Sequence, residues 1–177
     1  MLAGLFARCA KNHRSAGVVE VRLGRETTGS DTFPMSDDRA LLSPFVLSAA
    51  MSVVLTGHAR FAAGTTAGSS AKFLVMSDNA GAPGTLLAIS GGVAVPAGGG
   101  LVNFTFTGGP ALPVGTYWLG IVAESFQGVF SHQTGAPGGT MVMANGTFPF
   151  ASTAGYSWPG TSATYGSQAC AYIIGNG

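Results

Sequence analysis

From Ala40 onward, apolar and polar positions alternate in short stretches separated by clusters of Gly, Pro, Ser, Asn and Asp. A period of two places one set of side chains on a buried sheet face and the other toward solvent. Leu41–Leu47 is the first apolar run, and Pro44 within it points to an edge position. Between Met51 and Ala62, Val53, Leu55, Gly57, Ala59 and Phe61 share a face opposite Thr56, His58 and Arg60. Gly64–Ser70 reads as a loop. Ala71–Ser77 is a buried-type strand around Phe73 and Val75, and Asp78–Gly84 (DNAGAPG) is a turn. Thr85–Ser90 and Val93–Val95 are short strands, with a further turn at Pro96–Gly100. Leu101–Thr107 carries Val102, Phe104 and Phe106 on one face. Gly115–Ala123 is the strongest strand signal, and Gly128–Gln133, Met141–Ala144 and Gln168–Ile174 follow.

These are roughly eight to ten short strands spaced about 8–12 residues apart, the pattern of an all-β antiparallel two-sheet sandwich, jelly-roll-like in its winding. No segment has a helical period of useful length, so a parallel α/β fold lacks its crossover helices. Residues 39–177 form the expected sandwich domain. Residues 1–38 read as an N-terminal arm for attachment, with one strand signal at Val18–Leu23 and a polar, turn-rich stretch from Gly24 to Asp38. Removing residues 1–23 is expected to leave the sandwich folded.

Composition narrows the picture. Of the 177 residues, 46% are apolar and 8% charged, with 28 glycines and 9 prolines. An ordinary soluble domain is roughly 25% charged. Most charges lie between Arg8 and Arg39, and beyond Asp78 the sole formally charged side chain is Glu124. A surface of Ser, Thr, Asn, Gln and Gly suits packing against copies of the same chain or a larger assembly. The net charge of +1 comes without a basic run, which sets nucleic-acid binding aside. No stretch of 18 apolar residues is present to span a membrane. Met1–Ala7 is too short for the apolar part of a secretion signal, and Arg8, Lys11 and Arg14 follow it. Release within a virus particle is a route to the outside that needs no such signal. Cys9 and Cys170 lie near opposite ends, free or paired with each other.

Catalytic chemistry finds few candidates. His13, His58 and His132 stand alone, none with a second ligand at metal spacing. No GxSxG is present, Glu124 is isolated, and Asp37 and Asp38 are adjacent on a polar loop where solvated acids are the norm. No enzyme activity and no cofactor are expected. Asp78, with Asn79 and turn carbonyls, offers oxygen ligands for calcium, but one carboxylate is few for a tight site. Asn103-Phe104-Thr105 and Asn145-Gly146-Thr147 match the glycosylation pattern and read as chance. Tyr156, Trp158 and Tyr165 lie in a Gly/Ser/Thr-rich stretch and are the candidate ligand site, stacking on sugar rings; the alternative is that Trp158-Pro159 tucks under the loop and covers a sandwich end.

Two stretches carry a resemblance. FLVMSDNAGAPGTLLAIS (residues 73–90) and ALPVGTYWLGIVA (111–123) resemble a recurring β-sandwich module of tailed-bacteriophage structural proteins and of some secreted bacterial adhesive proteins. Ala169–Ile174 fits its closing strand, so the resemblance spans roughly residues 24–174. It implies a virion structural protein that decorates the head or belongs to the tail or fibre apparatus on the particle exterior. The implied partners are other virion proteins, copies of itself and a host surface glycan. The residues of the resemblance are structural. Gly81 and Gly84 can take positive φ, Pro83 fixes its own, and Asp78 can accept backbone hydrogen bonds in the turn. Gly115 clears the start of its strand, and Tyr117 and Trp118 point to opposite faces, one toward the core and the other outward or under a loop, with Trp118 expected to supply a large core contact.

Overall fold

A computed structural model of the chain describes residues 19–27, 29, 31–35, 38–63, 69–124, 128–134, 139–145 and 147–177. The described residues contain fourteen strands: β1 (Glu20–Gly24), β2 (Asp31–Met35), β3 (Ala40–Leu47), β4 (Val53–Phe61), β5 (Ser70–Asn79), β6 (Ala82–Ile89), β7 (Val93–Ala94), β8 (Gly100–Thr105), β9 (Gly115–Ala123), β10 (Gly128–Thr134), β11 (Met141–Ala144), β12 (Thr161–Tyr165), β13 (Ser167–Ala169) and β14 (Ala171–Asn176). They form two antiparallel sheets of seven strands each, a two-sheet sandwich. One sheet runs β1-β14-β4-β10-β13, with β8 along β4 and β2 along β10; the other runs β12-β11-β3-β9-β5-β6, with β7 on β5. Apart from the consecutive pairs β5–β6 and β11–β12, neighbouring strands are distant in sequence, because the chain repeatedly crosses from one sheet to the other.

The sheets meet over a core in which Leu41, Phe73, Val75, Leu119 and Ile121 of the second sheet face Val54, Phe104, Phe130 and Ile173 of the first. Phe73 and Phe104 lie in tilted contact at 5.8 Å. Gly57 makes that approach fit, since a Cβ there would sit 2.7 Å from the Phe73 ring. Ser43 is fully buried on the inner face, and its hydroxyl accepts a hydrogen bond from the Ala169 amide across the sheets (2.9 Å).

The face expected for β4 is corrected at one end. Val54 is fully buried and Leu55 is exposed, the reverse of the strict alternation. The ladder with β14 is irregular there: Ile174 pairs with Thr56 and Gly175 with Val54, so Leu55 is an extra residue that switches the faces. Pro44 lies on an interior strand, not an edge. It is tolerated because β11 pairs with β3 solely at Leu41 and Leu42, leaving that side of Pro44 without a ladder partner.

The sandwich also begins earlier than the sequence pattern suggests. β1 pairs with β14 along its full length, from Glu20↔Asn176 to Gly24↔Tyr172, and Leu23 is buried in the core. β2 pairs with β10 from Met35↔Gly128 to Asp31↔His132. Two stretches of the segment read as an arm, Glu20–Gly24 and Asp31–Met35, are therefore sheet. As an edge strand, β1 carries Glu20 and Arg22, which form a surface ion pair (2.6 Å) and keep the edge polar. Residues 1–18 lie outside the described residues.

Candidate functional site

The outer face of the second sheet is also buried. Leu42, Leu74, Met76, Leu86, Trp118, Val122 and Val142 form a second apolar cluster on it, covered by Phe148, with Phe150, Tyr156 and Trp158 packed at its margin. Residues 147–160 thus make a third layer. Asp38 anchors its start: its carbonyl accepts from the Phe148 amide (2.7 Å) and its carboxylate from the Phe150 amide (3.4 Å). Asp38, expected as a solvated loop acid, is instead a clasp for this layer. Lys72 adds a second tie, donating to the Phe150 carbonyl (2.7 Å) with its ammonium 4.4 Å from the ring centre. The layer's far end runs along the free edge of β6. The Leu86 amide donates to the Tyr156 carbonyl (2.8 Å), the Leu86 carbonyl accepts from the Gly155 amide (2.7 Å), the Trp158 amide donates to the Gly84 carbonyl (2.8 Å), and Thr85 bridges Ser157. The edge is thereby closed to other strands.

Tyr117 and Trp118 take opposite faces, but both faces are core. Tyr117 points between the sheets, donates its hydroxyl to the Pro113 carbonyl (2.7 Å), and burial pushes its phenol above the ordinary value. Trp118 points under the third layer and is 1% exposed. Its indole N–H donates to Asp78 Oδ1 (2.8 Å), while Asp78 Oδ2 accepts from the Gly81 amide (3.2 Å). Asp78 thus holds the turn with one oxygen and the buried indole with the other. Gly115 has a different place from the one expected: a Cβ there would meet little more than the Tyr117 ring, at 3.9 Å, an ordinary contact.

The turn itself is tighter than DNAGAPG suggests. Asn79 pairs with Ala82, so Ala80 and Gly81 are the two loop residues, at φ +51° and +85°. Positive φ at both positions is the type I′ hairpin. Gly84 does not take positive φ; it lies in β6 opposite Ser77, where a Cβ would come within 2.6 Å of the Ser77 hydroxyl. Pro83 pairs with Asp78 in the ladder. Ser77 sits in an irregular step of that ladder, and its hydroxyl accepts the Thr85 amide (2.9 Å). Ala80 occupies a conformation suited to Asn or Gly. Ala80→Asn is therefore expected to raise stability by about 0.5–1 kcal/mol, read as a shift in the urea midpoint with an unchanged slope.

The three aromatic residues proposed as a stacking site do not converge. Tyr156 and Trp158 both rest against Phe148, at 4.9 Å and 6.0 Å between ring centres, and both are half-buried. Tyr165 packs edge-on against Phe33 at 4.9 Å, beside the inter-sheet core. The structure instead joins Trp158 to the Asp78 turn. Ser77, Asp78, Asn79, Thr85, Ser157 and Trp158 line an open cleft of about 320 Å³ between the β5–β6 hairpin and the end of the third layer. Two segments some eighty residues apart in sequence thus form one site.

The other titratable groups of the described residues lie outside the lining of this cleft. His58 stacks on Tyr172 (4.5 Å, 10° between planes) and bonds Thr56 and Asn103 at 2.9 Å and 2.7 Å. Asn103, within one glycosylation-type triplet, is thus held by His58. His132 is buried near Phe33. Glu124 is exposed and accepts from the Ser70 hydroxyl (2.5 Å). The Cys170 thiol is buried and pushed up by that burial, with Arg25 pulling the other way; Cys9 lies outside the described residues, as do His13 and Asp37. Among the described residues no three His, Cys, Asp or Glu side chains come together as a metal site. No helix long and apolar enough to cross a membrane is present among the described residues.

Among the described residues, fold and cleft together define a charge-poor β-sandwich with a polar, tryptophan-lined cleft. No family model matches the chain, and no curated protein matches it significantly.

Proposed function

We propose that this chain is a non-enzymatic structural protein of a tailed-bacteriophage particle, displayed on the exterior of the head or within the tail or fibre apparatus. The distribution of charge carries the reading: past Asp78, Glu124 is the sole formally charged side chain over nearly a hundred residues. A protein that lives as an isolated monomer keeps itself apart from its neighbours with scattered charge. A neutral, Thr/Ser/Gly-rich surface suits a subunit held against other subunits. Val46 (75% exposed) and Val114 (63% exposed) are exposed apolar side chains at one end of the β3–β9 pair. The resemblance of residues 73–90 and 111–123 to phage sandwich modules points the same way.

The attachment element is the basic segment holding Arg8, Lys11 and Arg14. Because Glu20–Gly24 is a strand with a buried Leu23, the informative deletion ends at residue 18 and not at 23. A chain lacking residues 1–18 is expected to keep its thermal transition and to be lost from purified particles. Normal incorporation of that chain, seen by mass spectrometry of the particles, would assign attachment to the sandwich instead.

A second reading is favoured by a specific observation. The cleft that pairs Trp158 with polar side chains has the character of a carbohydrate-binding or adhesive module recognising a cell-surface glycan. The two roles are compatible on one particle.

A further inference from the structure

We infer that the cleft between the β5–β6 hairpin and Trp158 binds a neutral pyranose unit of a surface saccharide, an inference that rests on the adhesive reading and gives it a site. A sugar presents two chemistries at once. Its C–H face is apolar and packs on the face of an indole, while its rim of hydroxyls needs both donors and acceptors. Trp158 supplies the aromatic wall, steadied behind by Phe148 and tethered by its own N–H to the Thr161 hydroxyl (3.2 Å). The opposite wall supplies the polar groups. The side chains of Asn79, Thr85 and Ser157 have no hydrogen-bond partner among the described residues and border the cleft. Asp78 has each oxygen engaged by one donor, and each retains capacity to accept a sugar hydroxyl.

Size and charge select the ligand. At about 320 Å³ the cleft lies at the small end of ligand sites, which run from roughly 300 to 1,000 Å³, and suits one ring of a longer chain. Asp78 is the charged side chain of its lining, so an anionic sugar such as a sialic acid would meet a carboxylate with no facing cation. A neutral hexose meets no such penalty.

Preorganisation supports binding by so shallow a site. The Trp158 and Ser157 backbone is fixed to Gly84 and Thr85, and the hairpin is fixed by Asp78, so little order is gained on binding. One site of this kind is weak. Many copies on one particle would multiply weak contacts into firm attachment.

The test uses the purified full chain on a glycan array carrying neutral and sialylated oligosaccharides, followed by NMR titration with methyl hexosides of the sugars that bind. The expected result is binding to neutral glycans with movement of the Trp158 indole signal. Trp158→Ala should weaken binding by at least about tenfold, and Asn79→Ala, at an exposed turn position, by roughly three- to tenfold. Absence of any neutral-glycan binding, binding confined to sialylated glycans, or binding unchanged in both folded variants would overturn the assignment. Binding that ignores both variants would leave the adhesive reading standing and remove this site from it.

Discussion

Trp118→Ala is expected to cost about 3–5 kcal/mol of stability, the range for deleting a buried aromatic side chain. Trp118 sits at the centre of the second core, between the sheet and the third layer, among Leu42, Leu74, Met76 and Phe148. Truncation opens a cavity there that a β-sheet cannot collapse to fill. It also takes away the indole donor on Asp78 Oδ1, loosening the turn that shapes the cleft. A domain with about 5–15 kcal/mol of stability would be left marginal by such a loss. Trp118→Phe separates the two contributions, because the ring is largely kept while the N–H is lost. It should cost less than half as much. Urea denaturation of the three proteins checks this. A loss below about 1 kcal/mol for the alanine variant would show that the third layer is not packed as a core.

Gly120→Ala is expected to be more damaging than its single methyl suggests. Gly120 lies in the middle of β9, which is paired on one side with β3 and on the other with β5. A Cβ at this position would overlap the carbonyl oxygen of Leu41. The obstacle is backbone, and β9 cannot retreat without breaking the ladder to β5. The expected loss exceeds about 4 kcal/mol, enough to abolish recovery of folded protein. Gly115→Ala in the same strand is the control, since its Cβ makes an ordinary contact, and it should change stability by less than about 0.5 kcal/mol. Comparing soluble yield and melting temperature of the pair tests the register of the β3–β9 ladder directly.

Strand existence was largely legible in the sequence, because alternation survives wherever one face is core. Val102, Phe104 and Phe106 are buried on one face of the β8 region, as their spacing indicates. Legibility fails for three physical reasons. A bulge at Leu55 adds one residue and flips the faces of β4, and a similar irregularity near Leu87 does so in β6; neither leaves a mark in hydropathy. Strands with few apolar residues are hidden by composition. β2 (DTFPM) contains a proline beside polar residues, and β12 (TSATY) reads as loop, yet both are paired. Finally, β9 is buried on both faces because of the third layer, so GTYWLGIVA reads as a continuous apolar run from which the facing of Tyr117 and Trp118 could be read but not what covers Trp118.

The site was legible in its parts and not in its assembly. DNAGAPG and the Tyr156–Trp158 stretch each stand out from composition. Their meeting depends on residues 155–158 running along the free edge of β6, a long-range contact with no local signature. The same geometry separates Tyr165 from the other two aromatic residues, because β12 turns it toward Phe33 and the inter-sheet core.

The proposed role puts the chain on the outside of a particle. Immunogold electron microscopy of intact, purified phage particles, with antibody raised against the folded chain, tests that most directly. The expected result is gold at regular positions on the head surface or tail of unbroken particles. Particles that carry no label, with the chain recovered solely from the soluble fraction of the lysate, would contradict it.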